Sequence, residues 1–132
     1  MTTKNYLLAA TLLAAFSAQA ADLVVIANPA VGAVSKDQLS DLYLGKSVAL
    51  TPYDQTEGSH AYIDFYKKAT GRDAAQVKAT WSRIVFSGKG TAPKQLADAV
   101  AMKKAVAADP KGVGYIDKSA VDASVKVVLP LE

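Results

Sequence analysis

Val48-Ala49-Leu50-Thr51-Pro52-Tyr53-Asp54-Gln55-Thr56-Glu57-Gly58-Ser59-His60 is the stretch on which the fold of this chain turns. The apolar run Val48 to Tyr53 reads as an extended strand. A polar Gly-Ser turn then opens a helical pattern in which Tyr62, Phe65, Tyr66 and Ala69 recur at i, i+3, i+4 and i+7. Ser59 is placed to cap that helix. The same turn also suits an anion, because the first N–H groups of a helix lack partners and the helix dipole is positive there.

The elements on either side repeat the alternation of strand and helix. Leu23 to Ala27 is continuously apolar, as in a strand buried on both faces, and Asn28-Pro29 ends it. Ser35, with Gln38 three residues on, forms a capping-box pattern before a short helix whose inner face is Leu39, Leu42 and Tyr43. Gly45 suits the left-handed position that closes it. The helix after Ser59 is expected to run to about Thr70, with Gly71 as its stop. Asp73 starts another helix, with Val77, Trp81, Ile84 and Val85 as its apolar face. Ser87 to Thr91 reads as a flexible loop. Asp98 caps a helix through Ala108, which Asp109-Pro110 ends. Gly112 to Ile116 is a short strand bent by its glycines, and Val125 to Leu129 is the last strand. The order strand, helix, strand, three helices, strand, strand predicts an α/β layer architecture.

The first 20 residues read as a secretory leader. Lys4 supplies the positive charge, Tyr6 to Phe16 the apolar stretch, and Ala18-Gln19-Ala20 the cleavage site. Cleavage after Ala20 leaves residues 21–132 as a single domain, not membrane-spanning and expected in a periplasm. The chain has no cysteine, so its core must hold it without disulfides. Of 15 basic residues one lies in the leader, which leaves 14 against 12 acidic. That near balance, together with export, argues against a nucleic-acid partner.

Several chemistries are excluded by elimination. His60 is the one histidine and there is no cysteine, so no metal site is expected. No G-x-S-x-G elbow is present, and Ser59 and His60, as neighbours on a helix, do not face each other. Ser87-Gly88-Lys89-Gly90-Thr91 lacks the upstream glycine of a nucleotide phosphate loop, Arg83 standing there instead. Asp54, Glu57 and Asp64 could formally supply paired carboxylates, but solvated acids near a helix start account for them. The expectation is a protein that is not an enzyme and uses no cofactor.

Three blocks in order carry a resemblance. They are Leu39-Ser40-Asp41-Leu42-Tyr43-Leu44-Gly45-Lys46, then Glu57-Gly58-Ser59 with the aromatic helix containing Ile63 and Phe65, then Asp109-Pro110-Lys111-Gly112-Val113-Gly114-Tyr115-Ile116. Together they resemble the C-terminal lobe of phosphate-type substrate-binding proteins of bacterial ABC transporters. The block Trp81 to Gly90 looks like that of a shorter, single-lobe branch of the same superfamily. The resemblance implies one lobe of a type II periplasmic-binding-protein-like fold, a small mixed sheet flanked by helices.

It also implies a ligand, phosphate or a similar oxyanion, and a site at Gln55, Glu57, Gly58, Ser59, His60 and Ala61. Ser59 would donate its hydroxyl, the N–H groups of Ser59, His60 and Ala61 would cradle the anion, and Glu57 would accept from a protonated phosphate. Gln55 stands where the larger family has an arginine and adds only an amide donor. His60-Ala61 replaces Gly-Thr. The larger family binds between two lobes, so a second copy, as in a homodimer, or another envelope protein such as an ABC transporter would have to close this site. The alternative expectation is an interaction module that lost the ligand and docks through Tyr62, Tyr66 and Trp81.

Overall fold

The computed structural model describes residues 22–131. The leader expected in residues 1–20, with its cleavage site, lies outside the described residues.

Strand β1 (Leu23–Ala27) is buried along its whole length. It occupies an inner position of a five-stranded sheet of order β3-β2-β4-β1-β5, with β2 (Thr51–Gln55), β3 (Lys94–Leu96), β4 (Gly112–Asp117) and β5 (Lys126–Pro130). β2 runs parallel to β3 and β4, whereas β1 is antiparallel to β4 and β5. The sheet is therefore mixed, as expected.

Because side chains alternate across a strand, β1 feeds two cores. Leu23, Val25 and Ala27 join Val113 and Tyr115 of β4 beneath α1 (Lys36–Tyr43) and α2 (His60–Thr70). Val24 and Ile26 join Ile116 beneath α4 (Ala99–Ala108), where Met102 and Val106 complete the second core. A strand sandwiched in this way has to be apolar at every position, which is the pattern Leu23 to Ala27 carries. Asn28 then ties the strand end to α4. Its amide nitrogen donates to the carbonyls of Val106 and Ala107 at 3.1 and 2.9 Å.

The helix starts obey their caps. Ser35 and Asp73 form capping boxes with Gln38 and Gln76, and Ser59 and Asp98 accept from the N–H of Tyr62 and Ala101. Gly45 and Gly71, with φ of 75° and 71°, take the left-handed conformation expected after α1 and α2.

Four expectations need correction. The second strand begins at Thr51, not Val48, because pairing with β4 starts opposite Gly112. Residues 46–50 are spent on the turn out of α1, and Val48 is 93% exposed. Strand β3 was not expected, since three residues carry no period; it forms only because β2 offers it an edge. The helix α3 (Ala74–Phe86) buries Val77 alone. It lies against α2 and the segment after α1, at the margin of the sheet, so Trp81 and Ile84 are half-buried and Val85 is exposed. Finally, the glycines of β4 serve packing against α4. A Cβ on Gly112 would meet backbone atoms of Asp109 and Val106 at 3.0 Å, and one on Gly114 would meet Met102 Sδ at 2.5 Å.

That difference in neighbours sets an order of sensitivity. Gly112→Ala presses on backbone and is expected to cost about 1–3 kcal/mol. Gly114→Ala presses on a flexible thioether that can rotate away, and is expected to cost less. Urea unfolding of the two variants checks the order, and a larger loss for Gly114→Ala would contradict this packing.

Candidate functional site

Asp54 lies near the end of β2 and is 3% exposed. Its carboxylate is held by two phenols. Tyr66 Oη, from the second turn of α2, donates to Oδ2 at 2.5 Å, and Tyr115 Oη, from β4, donates to Oδ1. The Gln55 N–H adds a third donor to Oδ1 at 3.1 Å. The Gln55 side chain reaches back across the sheet, its amide nitrogen donating to the Tyr115 carbonyl at 2.9 Å. Tyr43 Oη donates to the carbonyls of Tyr53 (2.7 Å) and Val113 (3.2 Å), so a third buried phenol pins β2 to β4. Phe65 stacks on Tyr115 with ring centroids 3.8 Å apart.

Burial pushes the Asp54 carboxyl up to about 6, against the hydrogen bonds from Tyr115, Tyr66 and the Gln55 N–H, which favour the ionised form; the charge of Glu57 adds to the upward shift. Burial, then the Asp54 charge, holds the Tyr66 and Tyr115 phenols far above their ordinary value, so both remain donors. The sequence reading of Asp54 as a solvated acid is thereby corrected, since two tyrosines and a backbone N–H occupy its oxygens.

Of the residues picked out from the sequence, Glu57, Gly58, Ser59, His60 and Ala61 lie at the start of α2, whereas Gln55 ends β2 and turns its side chain to Tyr115. Gly58 adopts φ 86° and leaves open space above it. Ser59 is half-buried, and Glu57, Gly58 and His60 are exposed. Ser59 Oγ accepts from the Tyr62 N–H at 3.2 Å, leaving its hydroxyl hydrogen to donate elsewhere. The Ser59 N–H is not available in the way expected, because it closes the preceding turn onto the Thr56 carbonyl at 3.0 Å. The N–H groups of His60 and Ala61 have no acceptor among the described residues, as befits the first turn of a helix. Gln55 has one of its amide hydrogens committed to Tyr115.

Beside this turn an open groove of about 420 Å³ runs between α2, α3 and the segment before β3. Asp54, Glu57 and Tyr62 line one side, and Lys78, Trp81 and Phe86 the other. Lys78 Nζ stands 3.5 Å from Glu57 Oε1, an exposed pair of small energetic worth. Gln95 of β3 accepts from the Glu57 N–H at 3.1 Å and so fixes the turn. Sequence reasoning missed Lys78 and Gln95, and nothing local could have found them, since both reach the turn from other elements. Tyr62 and Tyr66 are 4% and 0% exposed, which removes them as the docking surface of the alternative expectation. Trp81 is half-buried, its indole N–H donating to the Tyr43 carbonyl at 2.9 Å.

Among the described residues no three metal-ligating side chains cluster, and no helix is long and apolar enough to cross a membrane.

No family model matches this chain, and no curated protein matches it. Solved structures do. An ABC-type phosphate transport receptor from Vibrio cholerae superposes with a TM-score of 0.63 at 18% identity, covering 82% of this chain and 45% of that one. A protein assigned as a phosphate ABC transporter substrate-binding protein from Clostridium perfringens, with phosphate bound, superposes with a TM-score of 0.64 at 20% identity, covering 82% of this chain and 44% of its own. The chain thus spans less than half the length of the structures it resembles. The mixed α/β fold expected from the sequence resemblance is the fold found.

The buried carboxylate makes stability depend on pH. The Asp54 pKa rises from 3.8 to about 6 on folding, so between those values the folded state binds more protons than the unfolded. This group's contribution therefore falls as pH rises through that window, by on the order of 3 kcal/mol for two pKa units. Urea titrations of wild type and Asp54→Asn across the window are expected to show wild type losing ground to the variant as pH rises; parallel curves would contradict the assignment. Tyr115→Phe removes a hydrogen bond to the ionised form and is expected to cost about 1.5–3 kcal/mol at neutral pH. It should also move the Asp54 carboxyl carbon titration, followed by NMR, to still higher pH.

Proposed function

We propose that this chain is a non-catalytic binding module for phosphate or a related oxyanion, held at the start of α2. The observation that supports this most is the pair of unpartnered N–H groups on His60 and Ala61 beside the Ser59 hydroxyl, in a chain with the fold of phosphate transport receptors. In this reading those three donors face the anion at the positive end of the helix dipole. Lys78, across the groove, supplies the positive charge that Gln55 does not. Glu57 accepts a hydrogen from monobasic phosphate, which favours phosphate over sulfate. The leader read in residues 1–20 would deliver the protein to the periplasm, where it would serve ABC-type uptake.

The groove is open to water, where each hydrogen bond is worth less than in an enclosed cleft. Isothermal titration of phosphate into the purified protein is expected to give saturable binding in the micromolar range, with sulfate weaker. Ser59→Asp keeps a good helix cap but sets a negative charge against the anion, so it should abolish binding without unfolding the protein. Affinity unchanged in this variant would remove the site from consideration.

A second reading has its own observation. Phe86 is 96% exposed and Val85 49%, side by side on the rim of the same groove. Apolar side chains in that position suit a second chain that closes the half-site, either another copy or an envelope protein. If a second copy closes it, sedimentation in the presence of phosphate should show a dimer that Phe86→Ser disperses. A monomer under all conditions would leave closure to a different protein.

A further inference from the structure

The opposite flank of α3 carries a second groove, of about 410 Å³, with a different electrostatic character. Lys78, Trp81, Ser82, Val85 and Phe86 border the groove described above. Thr80, Arg83, Ile84 and Ser87 border this one. Four cations converge on it from three places in the chain. Lys46 comes from the segment after α1, Arg72 from the turn between α2 and α3, and Arg83 and Lys89 from the end of α3 and the loop beyond it. No carboxylate lines it. Among the described residues the ion pairs are Lys78 with Glu57 and Lys103 with Asp122, so none of these four cations is matched by an acid.

Arg83 alone has an ordinary structural reason to be there, as a cation in the last turn of a helix. Lys46 and Arg72 do not belong to α3, and the fold brings them to its side. The groove holds both arginines of the chain, the side chains best shaped to grip a phosphate with paired donors. The hydroxyls of Thr80 and Ser87 already donate to the carbonyls of Gln76 and Ile84, so the cations are the donors that remain.

We infer that this groove is a second anion site, separate from the start of α2, for a ligand bearing two or more phosphate groups. The valence follows from charge matching. A phosphate monoester carries about −1.5 to −2 at neutral pH, so a single one would leave about half of the four positive charges unanswered. Binding would also relieve the mutual repulsion of four cations gathered without a counter-charge. The phosphates can be borne by a soluble oligophosphate or by the headgroups of an anionic lipid surface.

The test uses the full chain, tripolyphosphate as the soluble probe, and phosphatidylglycerol–phosphatidylcholine vesicles against pure phosphatidylcholine as the lipid probe. Tripolyphosphate is expected to bind saturably and to raise the melting temperature beyond the effect of sodium chloride at equal ionic strength. The double variant Arg83→Gln, Lys89→Gln, both at exposed positions, should bind at least tenfold more weakly. It should melt no lower than wild type in the absence of ligand, because it loses repulsion. Ser59→Asp, which closes the first site to anions, should retain a tripolyphosphate site that adding Arg83→Gln and Lys89→Gln to it removes, which separates this site from the first. Vesicle binding that the double variant loses and tripolyphosphate displaces identifies a lipid source. Tripolyphosphate binding without vesicle binding identifies a soluble one. Absence of both, or binding that the double variant retains in full, overturns the proposal.

Discussion

The fold is organised around a carboxylate that must not be left alone. Asp54 is buried where β2, α2 and β4 meet, and an isolated charge in such a place would be severely penalised. Tyr66 and Tyr115 answer it from two different elements, and the Gln55 N–H answers it from its own strand. These hydrogen bonds fix the end of β2, and with it the turn that launches α2. The position of Ser59 and of the free N–H groups behind it is therefore set by an interaction a few residues upstream. The aromatic rings that bring the hydroxyls to Asp54 also fill the larger core, so polar and apolar requirements are met by the same side chains.

The start of α2 and the groove beside it lie open to solvent. In a closed cleft the donors of a helix start are strengthened by the low dielectric around them; in an open groove they are not. Val85 and Phe86 stand exposed on the rim of that groove. α3 is the element that makes the two flanks of the molecule different. Seated at the margin of the sheet, it leaves Lys78 on the side of Glu57 and gathers Arg83 with Lys46, Arg72 and Lys89 on the other. Its uneven burial, Val77 inward and Phe86 outward, follows from that marginal seat.

Much was legible in the sequence because local rules decided it. Leu23 to Ala27 announced a strand sandwiched between layers. Ser35, Ser59, Asp73 and Asp98 announced helix starts, and Gly45 and Gly71 helix ends, since capping and left-handed backbone depend on a few neighbouring residues. What failed was non-local. Val48 to Leu50 are apolar enough for a strand, yet no partner strand reaches them. Lys94 to Leu96 carry no period and pair only because β2 leaves an edge free. Gly112 and Gly114 suggested a bend, whereas their role is to let α4 approach.

For the site the division is the same. By itself the sequence determined a helix start at Ser59 with donors free to meet an anion, because that property belongs to a single turn of backbone. The tertiary structure alone decided that Asp54 is a buried anchor and that Lys78 faces Glu57. Each of these depends on which distant segment comes to lie beside the turn: Tyr66 and Tyr115, 12 and 61 positions from Asp54, and Lys78, which faces Glu57, arrive only through the packing of the helices and the sheet.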